Sequence, residues 1–78
     1  MKRSTRMPQI GDLIIQNDKY YGLVRDIELD KWGHQRCVLI EWSGEQPRDY
    51  NPKYGYAGVN IHNCRSDFKV IRGGELIL

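Results

Sequence analysis

No run of apolar residues in this chain approaches the roughly 18 that a membrane span requires, so no membrane partner is expected. Cysteine is scarce: Cys37 and Cys64 are the only two in 78 residues. Small disulfide scaffolds usually carry about four or more, so two thiols fit a reducing compartment better than a covalent framework. The basic start, Met1-Lys2-Arg3-Ser4-Thr5-Arg6, is not followed by an apolar stretch and does not read as a secretory signal. A sustained 3.6-residue hydrophobic period is missing, which excludes a long amphipathic helix. Gly55-Tyr56-Ala57-Gly58 lacks the Lys-Ser/Thr that completes a phosphate-binding loop, and there is no Cys-x-x-Cys pair. No cofactor is expected.

Acidic side chains are also absent from the first six residues. The chain has 12 basic and 10 acidic residues, a net charge of +2. Without Lys2, Arg3 and Arg6 the remainder is slightly acidic, so the positive excess belongs to an N-terminal arm, residues 1–9. A protein that neutralises many phosphates usually carries a basic face on its body. The arm therefore has three readings: a solvated tail, a docking extension, or a nucleic-acid contact through Lys2, Arg3 and Arg6.

What is present is a rhythm of short strands. Gly11, Gly22, Gly33, Gly44 and Gly55 recur every eleven residues between segments that are not alike. Turn signals at about this interval mark all-β domains. Strands are expected from Asp12 to Gln16, from Tyr21 to Leu29 with a bulge or bend at Gly22, from Arg36 to Trp42, and from Phe68 to Ile71. A short strand is expected at Arg48-Asp49-Tyr50, a loop from Asn51 to Gly58, and a strand or single helical turn at Val59-Asn60-Ile61. Asn17-Asp18-Lys19 and Asp30–His34 read as turns. The fold class is all-β: a small five-stranded, partly open barrel over residues 10–72, with an apolar tail at residues 73–78.

A domain of 9.2 kDa buries only roughly 60% of its unfolded surface. Its core alone supplies on the order of 3–5 kcal/mol. Yet Leu13 and Ile15 flank Ile14, and Cys37 and Leu39 alternate with Val38 and Ile40, so both faces of these strands are apolar. A barrel hides one face. The other is covered by loops and termini or by another chain. The ending Leu76-Ile77-Leu78 poses the same choice between folding back and docking on a neighbour, as an added strand for example. Trp32, in a predicted hairpin tip away from any core pattern, fits an interface anchor, a ring folded onto its own barrel, or a base-stacking ring.

His34, Cys37, His62 and Cys64 are the residue types that could hold Zn²⁺. Their spacing matches no standard knuckle, so they read as unrelated side chains and no metal is expected. A Cys–His nucleophile pair is equally weak, because Cys37 falls in the strand most suited to burial. The chain is not expected to be an enzyme.

The order Gly11-Asp12-Leu13-Ile14, Tyr21-Gly22-Leu23-Val24, Val38-Leu39-Ile40-Glu41-Trp42-Ser43-Gly44 and Phe68-Lys69-Val70-Ile71 resembles SH3-like small barrels of the Tudor and KOW kind. It is most similar to the short barrels encoded by tailed bacteriophages, over roughly residues 10–72. The resemblance implies a structural or accessory virion component, in the host cytoplasm before assembly, that docks on other protein subunits, with a homo-oligomer as one form. Trp32, Leu39, Leu76, Ile77 and Leu78 are the expected interface residues. The alternatives are a small nucleic-acid-binding barrel using the arm and aromatic loops, or a phage regulator that blocks a host enzyme.

Overall fold

The computed structural model describes residues 7–63 and 67–77. Within them β1 (Leu13–Gln16), β2 (Tyr20–Leu29) and β3 (Gln35–Trp42) form an antiparallel meander. The short helix α1 (Gly58–Asn63) follows, then β4 (Phe68–Arg72) and the two-residue β5 (Glu75–Leu76). The sheet order is β3-β2-β1-β4-β5, so β4 returns to the free side of β1 and the long connection between β3 and β4 crosses the sheet.

Local chemistry explains the turns. Asn17 and Asp18 both adopt positive φ (56° and 52°), a conformation that short polar side chains tolerate. Asp30 organises the second hairpin: its Oδ1 accepts the amides of Trp32 and His34, each at 2.9 Å. These amides, His34's first, hold its carboxyl below the usual range. Gly73-Gly74 reverses the chain with both residues at positive φ and brings Glu75 and Leu76 beside Arg72 and Ile71.

The inner face of the sheet buries Ile14, Val24, Val38, Ile40, Phe68 and Val70 beneath Ile61 of α1. A chain of edge-to-face rings runs through this core: Tyr20, Trp42, Tyr50, Tyr56 and Phe68, with centroid separations of 5.3–6.4 Å. They are structural. Gln16 joins them, because the Tyr56 hydroxyl lies 2.9 Å from its Oε1 and 2.8 Å from Asp49 Oδ1.

The outer edge of β3 is closed by the long connection. Tyr56 exchanges both backbone hydrogen bonds with Val38, and the Tyr50 hydroxyl takes the next place along the edge. That hydroxyl accepts the Ile40 amide at 2.8 Å and donates to the Ile40 carbonyl at 3.1 Å. Gly55 is required here, since a Cβ would strike the Val38 carbonyl.

Two expectations are corrected. Arg48-Asp49-Tyr50 is a turn, not a strand, because Tyr50 reaches the ladder through its side chain and its own amide turns back to the Pro47 carbonyl. Gly22 sits in regular pairing opposite Trp42, and the register shifts fall later, between Val24 and Asp26 and between Glu28 and Leu29. Gly22 answers a close approach instead: a Cβ there would lie 2.5 Å from Ile40 Cγ2 and 2.9 Å from Trp42 Cε3. In the tail, Glu75 and Leu76 form β5 against β4 and Ile77 packs on the core rim, which is the folded-back alternative.

At the other end, Met7–Gln9, grouped with the arm on sequence, are tied to the body. Arg72 donates Nε to Asp12 Oδ1 and Nη2 to Asp12 Oδ2, both at 2.9 Å, and Nη2 also reaches the Met7 carbonyl. Asp12 Oδ2 accepts the Gln9 amide, and Gln35 Nε2 donates to the Pro8 carbonyl.

Candidate protein-docking surface

Strict alternation places Leu13 and Ile15 opposite the buried Ile14 and Gln16, and Tyr21 and Leu23 opposite Gly22 and Val24. Ile71 likewise lies on the face opposite Val70. The strand registers align these residues. Glu41 pairs Leu23, Leu23 pairs Leu13, Leu13 pairs Ile71, and Ile71 pairs Leu76. One row thus crosses the outer face at right angles to the strands: Glu41, Leu23, Leu13, Ile71, Leu76. A second row beside it runs Tyr21, Ile15, Lys69.

Six apolar side chains share this face. Leu23 is 52% exposed, Leu76 63% and Tyr21 46%, with Leu13, Ile15 and Ile71 half-buried between them. Of the neighbouring charges, Lys69 is engaged, since its Nζ pairs Asp18 Oδ1 at 2.8 Å. That partner raises the Lys69 pKa. A continuous apolar stripe on a small domain marks an interaction site, whereas isolated exposed leucines do not.

The expected interface residues divide. Leu76 lies at the end of the row. Leu39 is half-buried and lines a shallow groove of about 370 Å³ with Trp42, Tyr50 and Pro52, away from the row. Ile77 belongs to the core rim. Trp32 stands 71% exposed at the hairpin tip with the Lys31 ammonium 5.0 Å from its ring centroid. Near it, Leu29, Met7 and Val59 line a second, wider groove at the base of the hairpin. Leu78, Lys2, Arg3, Arg6 and Cys64 lie outside the described residues.

Three of the metal candidates lie among the described residues, on separate elements. His34 is exposed in the hairpin and faces Asp30 at 3.6 Å, Cys37 is buried in β3, and His62 is half-buried on α1. Among the described residues no three His, Cys, Asp or Glu side chains converge as ligands.

Sequence reasoning found Leu13 and Ile15 but missed Tyr21, Leu23 and Ile71. The signal was present in Tyr21-Gly22-Leu23-Val24 and Val70-Ile71, where neighbouring residues on opposite faces are both large or apolar. No helix among the described residues is long and apolar enough to cross a membrane. No family model, curated protein or solved structure matches this chain.

Proposed function

We propose that the chain is a non-enzymatic docking module built on an SH3-like barrel, serving as a small structural or accessory component of a tailed-phage particle. It binds other protein subunits through the outer face of its sheet. The observation that carries this reading is the apolar row Leu23, Leu13, Ile71, Leu76. Leu23 and Leu76, a little over half exposed, gain roughly 1–2 kcal/mol each on full burial, an appreciable increment beside the modest stability of so short a domain. The SH3-like reading is supported by the strand order, with the Tyr56 bridge on β3 and a short helix before the strand that returns to β1. The phage setting, and the host cytoplasm as the place before assembly, rest on the motif resemblance.

A nucleic-acid reading has one observation in its favour: Lys19, Lys31 and Lys53 each lie over the aromatic ring that follows them in sequence. In a meander, however, the β1–β2 and β2–β3 turns lie at opposite ends. These couples therefore do not line one track for a phosphate backbone.

Salt and two substitutions test the proposal. Binding to a particle protein should persist at about 0.5 M NaCl, where phosphate binding falls steeply. The pair Leu23→Glu and Leu76→Glu should abolish binding while circular dichroism and unfolding stay unchanged. Binding that survives the double substitution, or that vanishes with salt alone, overturns it.

A further inference from the structure

We propose that the groove between β2, the end of β3 and the long connection binds the C-terminus of another polypeptide, a free carboxylate on an apolar last residue. This site is separate from the outer sheet face and does not rest on the docking reading.

The groove owes its charges to a β-bulge. Val24 pairs Ile40 and Asp26 pairs Leu39, so Arg25 is the extra residue between them. In a regular strand Arg25 and Asp26 would point to opposite faces. A bulge re-aims its side chains, and here both residues line one groove of about 370 Å³. Arg25 is exposed and has no ion-pair or hydrogen-bond partner among the described residues. Asp26 Oδ1 accepts the Ile27 amide at 2.9 Å, and its Oδ2 has no partner among the described residues.

The far wall holds an orphan donor. Trp42 lines the groove, and its Nε1 is closed to solvent with no acceptor among the described residues. A Cβ on Gly22 would lie 2.9 Å from Trp42 Cε3, so that long edge of the indole faces β2. Nε1 belongs to the opposite edge, turned away from β2, and the long connection lies on that side of β3. A buried donor without an acceptor is costly and rare in native proteins. Beside an unpaired guanidinium, it marks a site that a ligand completes.

The groups on the walls specify the ligand. A C-terminal residue offers carboxylate oxygens to the two donors, Arg25 and the indole N–H, and its own amide N–H to Asp26. Its side chain meets Leu39, Tyr50 and Pro52. A bare inorganic anion would be repelled by Asp26, and an internal apolar segment brings no carboxylate for Arg25. A volume of about 370 Å³ is at the small end for ligand sites, which suits one terminal residue. Because Nε1 is closed to solvent, binding shifts a wall of the groove by the width of a hydrogen bond. Gln46 is the wall residue that can yield, being exposed and without a side-chain partner among the described residues.

Heteronuclear NMR of the isotopically labelled full chain tests this, because Trp32 and Trp42 give separate indole N–H signals and Trp42→Phe tells them apart. N-acetyl-leucine, added in the millimolar range expected of so small a ligand, should move the Trp42 signal downfield to saturation and leave Trp32 in place. N-acetyl-leucinamide and acetate should move neither. Arg25→Gln should weaken binding about tenfold, the loss of one charge-assisted bond, with unchanged urea unfolding, and Arg25→Lys should recover part of it. These two variants keep the test decisive where Trp42→Phe folds poorly. A Trp42 signal indifferent to N-acetyl-leucine overturns the proposal. So does one held upfield by a ring current with and without the probe, which places the donor on a tyrosine ring. Equal binding of the amide, or undiminished binding by Arg25→Gln, overturns the carboxylate. Equal binding of N-acetyl-aspartate methylamide, whose carboxylate is on the side chain, overturns the chain terminus as its source.

Discussion

Tyr50→Phe isolates the device that closes the edge of β3. The hydroxyl is buried, and it holds both polar groups of Ile40, accepting the amide at 2.8 Å and donating to the carbonyl at 3.1 Å. The ring itself remains in the aromatic chain between Trp42 and Tyr56, so the substitution removes the two hydrogen bonds and little packing. Each net hydrogen bond contributes about 0.5–1.5 kcal/mol. Two such bonds are lost together, so the expected cost is about 2 kcal/mol. A domain of this length has roughly 4–12 kcal/mol in total, and the midpoint of thermal unfolding should fall by about 8–16 °C. Urea unfolding measures the first quantity. Hydrogen exchange reads the second consequence, loss of protection at the Ile40 amide with Val38 less affected, because Val38 keeps its backbone partner Tyr56. A change below about 0.5 kcal/mol, with the Ile40 amide as protected as before, would refute the claim that this side chain substitutes for a neighbouring strand.

Asp12→Asn should cost about 2 kcal/mol, less than a fully buried pair because Arg72 is partly solvated. Faster exchange at the Gln9 amide should accompany it, since the same carboxylate oxygen holds that group. Tyr56 gives an alkaline signature. Burial, then the Asp49 carboxylate, raises its pKa well above the ordinary tyrosine value. Its contribution is therefore complete below about pH 10, where an unfolded tyrosine is still neutral, and is lost as the pH climbs beyond that while the unfolded form ionises first. Urea midpoints from about pH 9 to about pH 11 should fall in the parent and fall less steeply in Tyr56→Phe.

Much of the architecture was legible in the chain. Periodic glycines, the Asn17-Asp18 turn and the alternation around Ile14, Val38 and Val70 are local signals, and local sterics and burial enforce them whatever the rest of the molecule does. The hairpin at Asp30 belongs to this class, because one carboxylate gathers the amides of its own loop. Where sequence reasoning failed, the cause was distant. Arg48–Tyr50 was read as a strand because nothing nearby reveals that a hydroxyl ten residues from Ile40 will complete the ladder. Gly22 suggests a bulge or bend on sequence because the crowding by Ile40 and Trp42 comes from another strand.

The candidate site shows the same division. The sequence by itself determined that Leu13, Ile15 and Leu76 exist as apolar surplus, since a two-residue period leaves one half of such strands facing away from any single core. Only tertiary structure decided that this surplus forms one stripe. Register joins Leu23 to Leu13 to Ile71 to Leu76 across four strands. Register is set by pairing between segments as far apart as β1 and β4, and a slip by one residue would have scattered the same side chains to the other face.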